Sequence, residues 1–141
     1  MAFVPAAWRL QLPASPANFA AFLAAILLAA LEASAYCMFL AALQMNVTVG
    51  SGPSNIIMAL SVLFAGGEIP LRFWPQSMQT FLAVQPFAGF GDFPLQCWIG
   101  SLSPHDALPR MGLQLAWTLI FFLVGRLLMN RRLRTIIVQG G

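Results

Sequence analysis

The sequence predicts an all-α membrane protein, with about three transmembrane helices and a re-entrant or interfacial helical hairpin before the last of them. Three observations predict this class. First, 60% of the 141 residues are hydrophobic and 8% are charged, with a mean hydropathy of +0.80. A soluble domain carries about a quarter charged residues, so this chain cannot cover its own surface with polar groups, and most of its solvent must be lipid. Second, residues 17–43 and 111–129 are nearly uninterrupted apolar runs, long enough for a hydrocarbon layer of ~30 Å. Third, the region between them is rich in Pro and aromatic residues, too apolar for an ordinary loop and too broken for a span. Irregular backbone at membrane depth is tolerated only where protein buries it or a watery cavity adjoins it.

The elements follow in order. Pro5, Pro13 and Pro16 make the start irregular, and Trp8 and Arg9 suit an interface. The apolar stretch from Ala17 is too long for the core of a cleavable signal peptide. Pro16-Ala17-Asn18 opens a helix, since Pro is well tolerated in a first turn. Ala21, Ala25, Ala29 and Ala33 recur at every fourth position of the first span and would let another helix approach closely. Gln44 to Ser54 is a polar, Gly-rich turn, in which the Asn46-Val47-Thr48 sequon is incidental. A second apolar helix is placed at 54–69. It is short for a span, and crosses only if the backbone continues past Gly66-Gly67. Residues 71–108 form the hairpin, with short helices at Phe81 to Val84 and Phe93 to Ile99 around a turn at Pro86 to Gly91. Its aromatic residues suit the membrane–water boundary.

Charge gives the orientation. The formal net charge is +3, and every basic residue is Arg. Their one cluster, Arg131, Arg132 and Arg134, abuts a membrane helix, so it reads as a topology signal and an anionic-lipid contact, not as a nucleic-acid surface. It predicts a cytoplasmic C-terminus, with the hairpin outside and Gln44 to Ser54 inside.

Few residues invite chemistry. Glu32 lies in the middle of the first span, where an ionised carboxylate is costly unless paired or solvated. It reads as a group contacting substrate or a proton, or as a buried structural carboxyl bonded to a neighbouring helix. Tyr36 shares its face. Glu68, after two glycines, either caps the next short helix or lines an exit. Phe87, Phe90 and Phe93 of the hairpin are candidates for an outer gate. His105 and Asp106 follow Ser103-Pro104 and read as a helix-capping turn, since no nucleophile accompanies them. Cys37 and Cys97 are expected at different depths, hence unpaired, and without zinc-ligand company. Gly50-Ser51-Gly52 lacks the Lys of a phosphate loop. No catalytic residue, metal site or bound cofactor is expected. An intramembrane enzyme would need two of Glu32, Asp92, His105 and Asp106 at one depth, and the expected topology separates Glu32 from the other three.

Several ordered motifs resemble a known family. They are Phe64-Ala65-Gly66-Gly67-Glu68-Ile69-Pro70-Leu71, then Phe73-Trp74-Pro75, Pro86-Phe87, Asp92-Phe93-Pro94 and Trp98-Ile99-Gly100. Gly112-Leu113-Gln114-Leu115-Ala116-Trp117, Gly125-Arg126-Leu127-Leu128 and Val138-Gln139-Gly140-Gly141 complete the set. In order and spacing they resemble the permease subunits of ATP-binding-cassette (ABC) transporters of the second export class, over about the last ninety residues. The resemblance implies six transmembrane helices per permease, two short re-entrant helices on the outer side before the last one, and a cytoplasmic C-terminus in the bacterial inner membrane. It also implies a second permease subunit, identical or different, and a separate ATPase. By length this chain resembles the C-terminal half, the last three helices of six. That expectation leaves open a fragment, a split gene or a misassigned start. A small membrane protein that packs against other helices without transporting is the alternative.

Overall fold

The computed structural model describes residues 12–13, 15–46, 52–66 and 68–134. The expectations for Trp8 and Arg9, the sequon's Val47 and Thr48, and the C-terminal Val138 to Gly141 lie outside the described residues. Among the described residues every regular element is helical: α1 (Pro16–Asn46), α2 (Gly52–Phe64), α3 (Gln76–Val84), α4 (Asp92–Trp98) and α5 (Pro104–Leu133), with 3-10 turns at Leu71–Phe73 and Pro86–Gly89.

Two helices are long and apolar enough to cross a membrane, Pro16–Met45 and Pro104–Leu133. At 1.5 Å per residue each measures about 45 Å, well beyond a hydrocarbon core of ~30 Å. They are not core helices of a soluble domain. Leu27 is 67% exposed, Leu119 59% and Leu127 61%, so their apolar side chains project away from the protein. α2 has 13 residues, about 20 Å, and is too short to cross alone.

The ends of the long helices follow from local chemistry. Ser15 Oγ accepts from the Asn18 backbone N–H at 3.1 Å and caps α1. Ser103 Oγ does the same for α5, accepting from Asp106 N–H at 3.1 Å and donating to its carboxylate at 2.6 Å. Asp106 in the first turn and Arg131 and Arg132 in the last also suit the helix dipole. This cap starts α5 at Pro104, seven residues before the predicted start at Met111, and shortens the predicted 71–108 hairpin. The helix runs through Pro109, where the carbonyl that loses its donor belongs to His105, an exposed residue whose carbonyl water can serve.

Contacts along α1 fix the direction of everything else. Near its start, Asn18 Nδ2 donates to the carbonyls of Cys97 (3.3 Å) and Leu102 (3.2 Å). One turn further, Ala25 packs with Phe93, Cys97 and Ala107. Gln114 and Gly89 meet Glu32 at the middle. Tyr36 and Ala35 pack with Phe121, and Gly125 lies against Met38 and Phe39. Thus α5 runs parallel to α1, while α4 runs antiparallel to both. Two parallel helices need a return path between them. α2 supplies its first part and ends beside Gln85, while α3, the 3-10 turn and α4 supply the rest. The predicted helix 54–69 stops at Phe64 because Gly66 turns the chain with φ +80°. A Cβ there would lie 2.8 Å from Asp92 Cβ and 3.1 Å from Leu71 Cγ, so both the backbone angle and the close approach require glycine.

The α1–α5 seam depends on small residues. A Cβ on Gly125 would sit 3.1 Å from Phe39 Cα and 3.2 Å from its N, against backbone that cannot give way. Gly125→Val should therefore push the helices apart and destabilise the fold by about 1–3 kcal/mol. Thermal unfolding of the detergent-solubilised chain checks this, with Gly112→Val, which meets nothing within 4 Å, as the neutral control.

Candidate functional site

Between the middle of α1, the first half of α5 and the hairpin lies a cavity of about 250 Å³. Glu32 comes from α1, and Arg110, Gln114 and Trp117 come from α5. Arg72, Gln79, Gln85, Gly89, Asp92, Phe93 and Gln96 come from the hairpin and the turn before it. The walls are unusually rich in amides for so apolar a chain.

Most of these amides tie down backbone carbonyls that helices leave unsatisfied. Gln85 Nε2 donates to Phe64 O at the end of α2 (2.9 Å), and its Oε1 accepts from Phe87 N–H (2.7 Å). Gln79 Nε2 reaches the carbonyls of Leu71 (3.2 Å) and Trp74 (2.9 Å). From α5, Gln114 Nε2 donates to Gly89 O at 2.9 Å and Trp117 Nε1 to Val84 O at 2.8 Å. Asp92 N–H donates to Ala65 O at 3.1 Å, and Gln96 bridges the Asp92 carboxylate to Arg110.

Glu32 is the exception. It is completely buried, yet neither carboxyl oxygen has a hydrogen-bond partner. Gln114 stands beside it without reaching bonding geometry, and Gly89 closes the third side. A Cβ on Gly89 would lie 2.5 Å from Glu32 Oε2 and 2.6 Å from Gln114 Nε2. The absent side chain lets the hairpin reach the middle of α1.

Tyr36, one turn above Glu32, is the hub of an aromatic cluster. Its ring centroid is 5.6 Å from Phe87, 5.7 Å from Phe90 and 5.3 Å from Phe121, and its hydroxyl donates to Ile57 O of α2 at 3.2 Å. Phe93 is buried among Ala25, Cys97 and Ala107 and also lines the cavity. The structure therefore sets Glu32 and Phe93 in the cavity wall and gathers Tyr36, Phe87 and Phe90 in an aromatic cluster outside that lining. It leaves Glu68 apart, exposed beyond the end of α2 and outside the cavity lining. Arg131, Arg132 and Arg134 lie at the far end of α5. His105 and Asp106 are exposed in the first turn of α5 (Nδ1 to Oδ1 3.8 Å).

One expectation is corrected. Topology does not separate Glu32 from Asp92, because α4 returns alongside α1 and sets both in one cavity wall. Asp92 is already engaged by Gln96, so the pair still provides no acid–base couple with a nucleophile. The sequence reading passed over Asn18, Gln79, Gln85 and Gln114. Gln85 and Gln114 stand alone among apolar residues, and that isolation was the available signal; Gln79 lies in the polar run Gln76-Ser77-Met78-Gln79-Thr80 and gave none.

Two helices long and apolar enough to cross a membrane, joined by a broken return path around a polar cavity, mark a membrane protein. The chain belongs to the ABC-2 family transporter proteins, whose family model matches residues 3–140. Members of this family are permease components, and no nucleotide-binding motif occurs in this sequence. No curated protein and no solved structure matches the chain.

Gly89→Ala should lift the hairpin off Glu32 and Gln114, with a loss of about 1–3 kcal/mol. Combined with Glu32→Ala, which removes one of the two clashing side chains, part of that loss should disappear. A double-mutant cycle read by thermal unfolding measures the coupling; strictly additive losses would show that Gly89 and Glu32 do not meet.

Proposed function

We propose that this chain is a membrane-spanning permease component of an ATP-driven export system and forms part of the substrate path. The observation that carries the proposal is the polar cavity at the middle of α1 in a chain of a transporter family. The amides of the lining serve the packing, but the buried carboxyl does not, since a buried polar atom without a partner costs about 1–3 kcal/mol. Such groups within membrane helices mark transport paths.

The rest of the reading follows from the topology. α1 and α5 each cross the bilayer, and α2 with the hairpin makes a third, broken crossing. The hairpin reaches the midpoint of α1 and is re-entrant from the outer side. The arginines at the end of α5 support a C-terminus in the cytoplasm of a bacterial inner membrane, since positive residues favour that side. The chain corresponds to the last three helices of a six-helix permease. It works with a second permease subunit and with a separate ATPase that hydrolyses the nucleotide. Glu32 and Tyr36 line the path, with Glu68, Phe87, Phe90 and Phe93 at its outer side.

Gentle purification of the tagged chain from its native membrane, followed by identification of what accompanies it, tests this reading. We expect a nucleotide-binding subunit to co-purify and Glu32→Ala to cut transport by the assembled complex at least tenfold, with Glu68→Ala showing a smaller loss. A chain that emerges without an ATPase would instead be a small membrane protein that packs against other helices.

A further inference from the structure

Charge is unevenly placed along the molecule. The acidic side chains of the sequence are Glu32, Glu68, Asp92 and Asp106. Arg126, Arg131, Arg132 and Arg134 crowd the last turns of α5 and its C-cap, and none of those carboxyls stands near them. Asp106 is in the first turn of α5. Glu32 stands level with Gln114, about 18 Å along the axis before Arg126. Asp92 is tied through Gln96 to Arg110, in the first half of α5, and Glu68 follows the Gly66 turn that meets Asp92. The basic end therefore has no acidic side chain of this protein to balance it.

The helix sorts these arginines onto different faces. Arg132 comes about two full turns after Gly125, so it falls on the face that meets Met38 and Phe39 of α1. It is half-buried and already has a partner. Arg126, Asn130 and Arg134 recur at every fourth position and stack on the other side of the helix. All three are exposed, and neither Arg126 nor Arg134 forms an ion pair among the described residues. Leu119, Leu123 and Leu127, at 59%, 55% and 61% exposure, continue that side into the span.

Depth brings the two arginines to one layer. Arg126 lies about 11 Å before the last residue of α5, close to the edge of the hydrocarbon, and a long basic side chain there extends outward. Arg134 lies about 12 Å further along the axis, and the tilt of helical Cβ atoms toward the N-terminus starts its side chain back toward the membrane. Both guanidinium groups can reach the level of Asn130, where lipid phosphates lie.

We propose that Arg126, Asn130 and Arg134 bind the phosphodiester of an anionic phospholipid whose acyl chains lie along Leu119, Leu123 and Leu127. Guanidinium groups present forked N–H donors that match phosphate oxygens, and the Asn130 amide adds an uncharged donor between them. A zwitterionic lipid carries the same phosphodiester together with its own cation, so it gains less. This is a site and not a diffuse attraction, because it includes the neutral Asn130 and leaves out Arg132. It rests on α5 crossing the bilayer, as in the permease reading, and needs neither transport nor an ATPase.

The test is native mass spectrometry of the full chain in detergent micelles, titrated with palmitoyl-oleoyl phosphatidylglycerol and with phosphatidylcholine of the same chains. Phosphatidylglycerol should bind at least about tenfold more tightly, given about fivefold from each arginine near a membrane surface. Arg126→Gln and Arg134→Gln should each lower that preference about fivefold, while Arg132→Gln, an equal loss of charge on the α1 face, should change it by less than about twofold. Asn130→Leu alters no charge and should still weaken phosphatidylglycerol binding several-fold. Equal binding of the two lipids to the native chain, or no binding of either, overturns the proposal whatever the variants do. Equal losses from Arg126→Gln and Arg132→Gln overturn it as well, since charge alone would then account for the contact. So does an Asn130→Leu chain that binds as the native one does. A chain that takes up no phosphatidylglycerol but crosslinks through position 126 to another protein in its native membrane would give this face to a protein partner and end the lipid reading.

Discussion

A chain that changes direction inside an apolar medium must bring its own hydrogen-bond donors, and that constraint governs this structure. α1 and α5 are parallel, so the segment between them has to return along their length. It does so in short pieces, and each break exposes carbonyls that water in a soluble protein would serve. Here Gln85 serves Phe64, Gln79 serves Leu71 and Trp74, Trp117 serves Val84, Gln114 serves Gly89, and Asn18 serves Cys97 and Leu102. The donors are all neutral. A Lys or Arg could reach the same carbonyls, but its charge would have to be desolvated as well. Amides and indoles therefore satisfy the broken backbone at the lowest desolvation cost.

That economy makes Glu32 informative. Where nearly every buried polar group is matched, an unmatched carboxyl is not carelessness of packing. Its neighbours are positioned by other needs: Gln114 by the Gly89 carbonyl, Gly89 by the space a side chain would occupy. The same two residues that dock the hairpin also wall the cavity. Any change in what fills the cavity must then be felt by the hairpin, because there is no slack between them.

Much of this was legible in the sequence, and what was hidden has physical reasons. The apolar runs gave α1 and α5, because lipid demands them. The hairpin's short helices and turn were placed within a few residues, because Pro86 and Gly91 punctuate the chain wherever they occur. The start of α5 was misplaced because the apolar run begins only at Met111, whereas the Ser103 cap starts the helix at Pro104. α2 was drawn too long because Gly66 looks like a hinge within a helix, and only the approach of Asp92 shows that it ends one. Within the candidate site, Glu32 and Tyr36 stood out as polar groups on an apolar face. The pairing of Glu32 with Asp92 in one wall did not, because it depends on α4 running back beside α1, a fact about chain direction that no local pattern encodes.

The same constraint suggests where the molecule moves. α1 and α5 are continuous helices joined along a seam of small residues, so opening them disturbs many contacts at once. The return path is fastened unevenly: α4 packs Phe93 and Cys97 against Ala25 and Ala107, whereas α3 is held by single side-chain bonds such as those at Gln79 and Trp117, each worth about 0.5–1.5 kcal/mol net. Local opening is drawn from the parts of a structure with the fewest cooperative contacts. The α3 segment can therefore shift by exchanging a few bonds, while α4 stays packed on the α1–α5 pair.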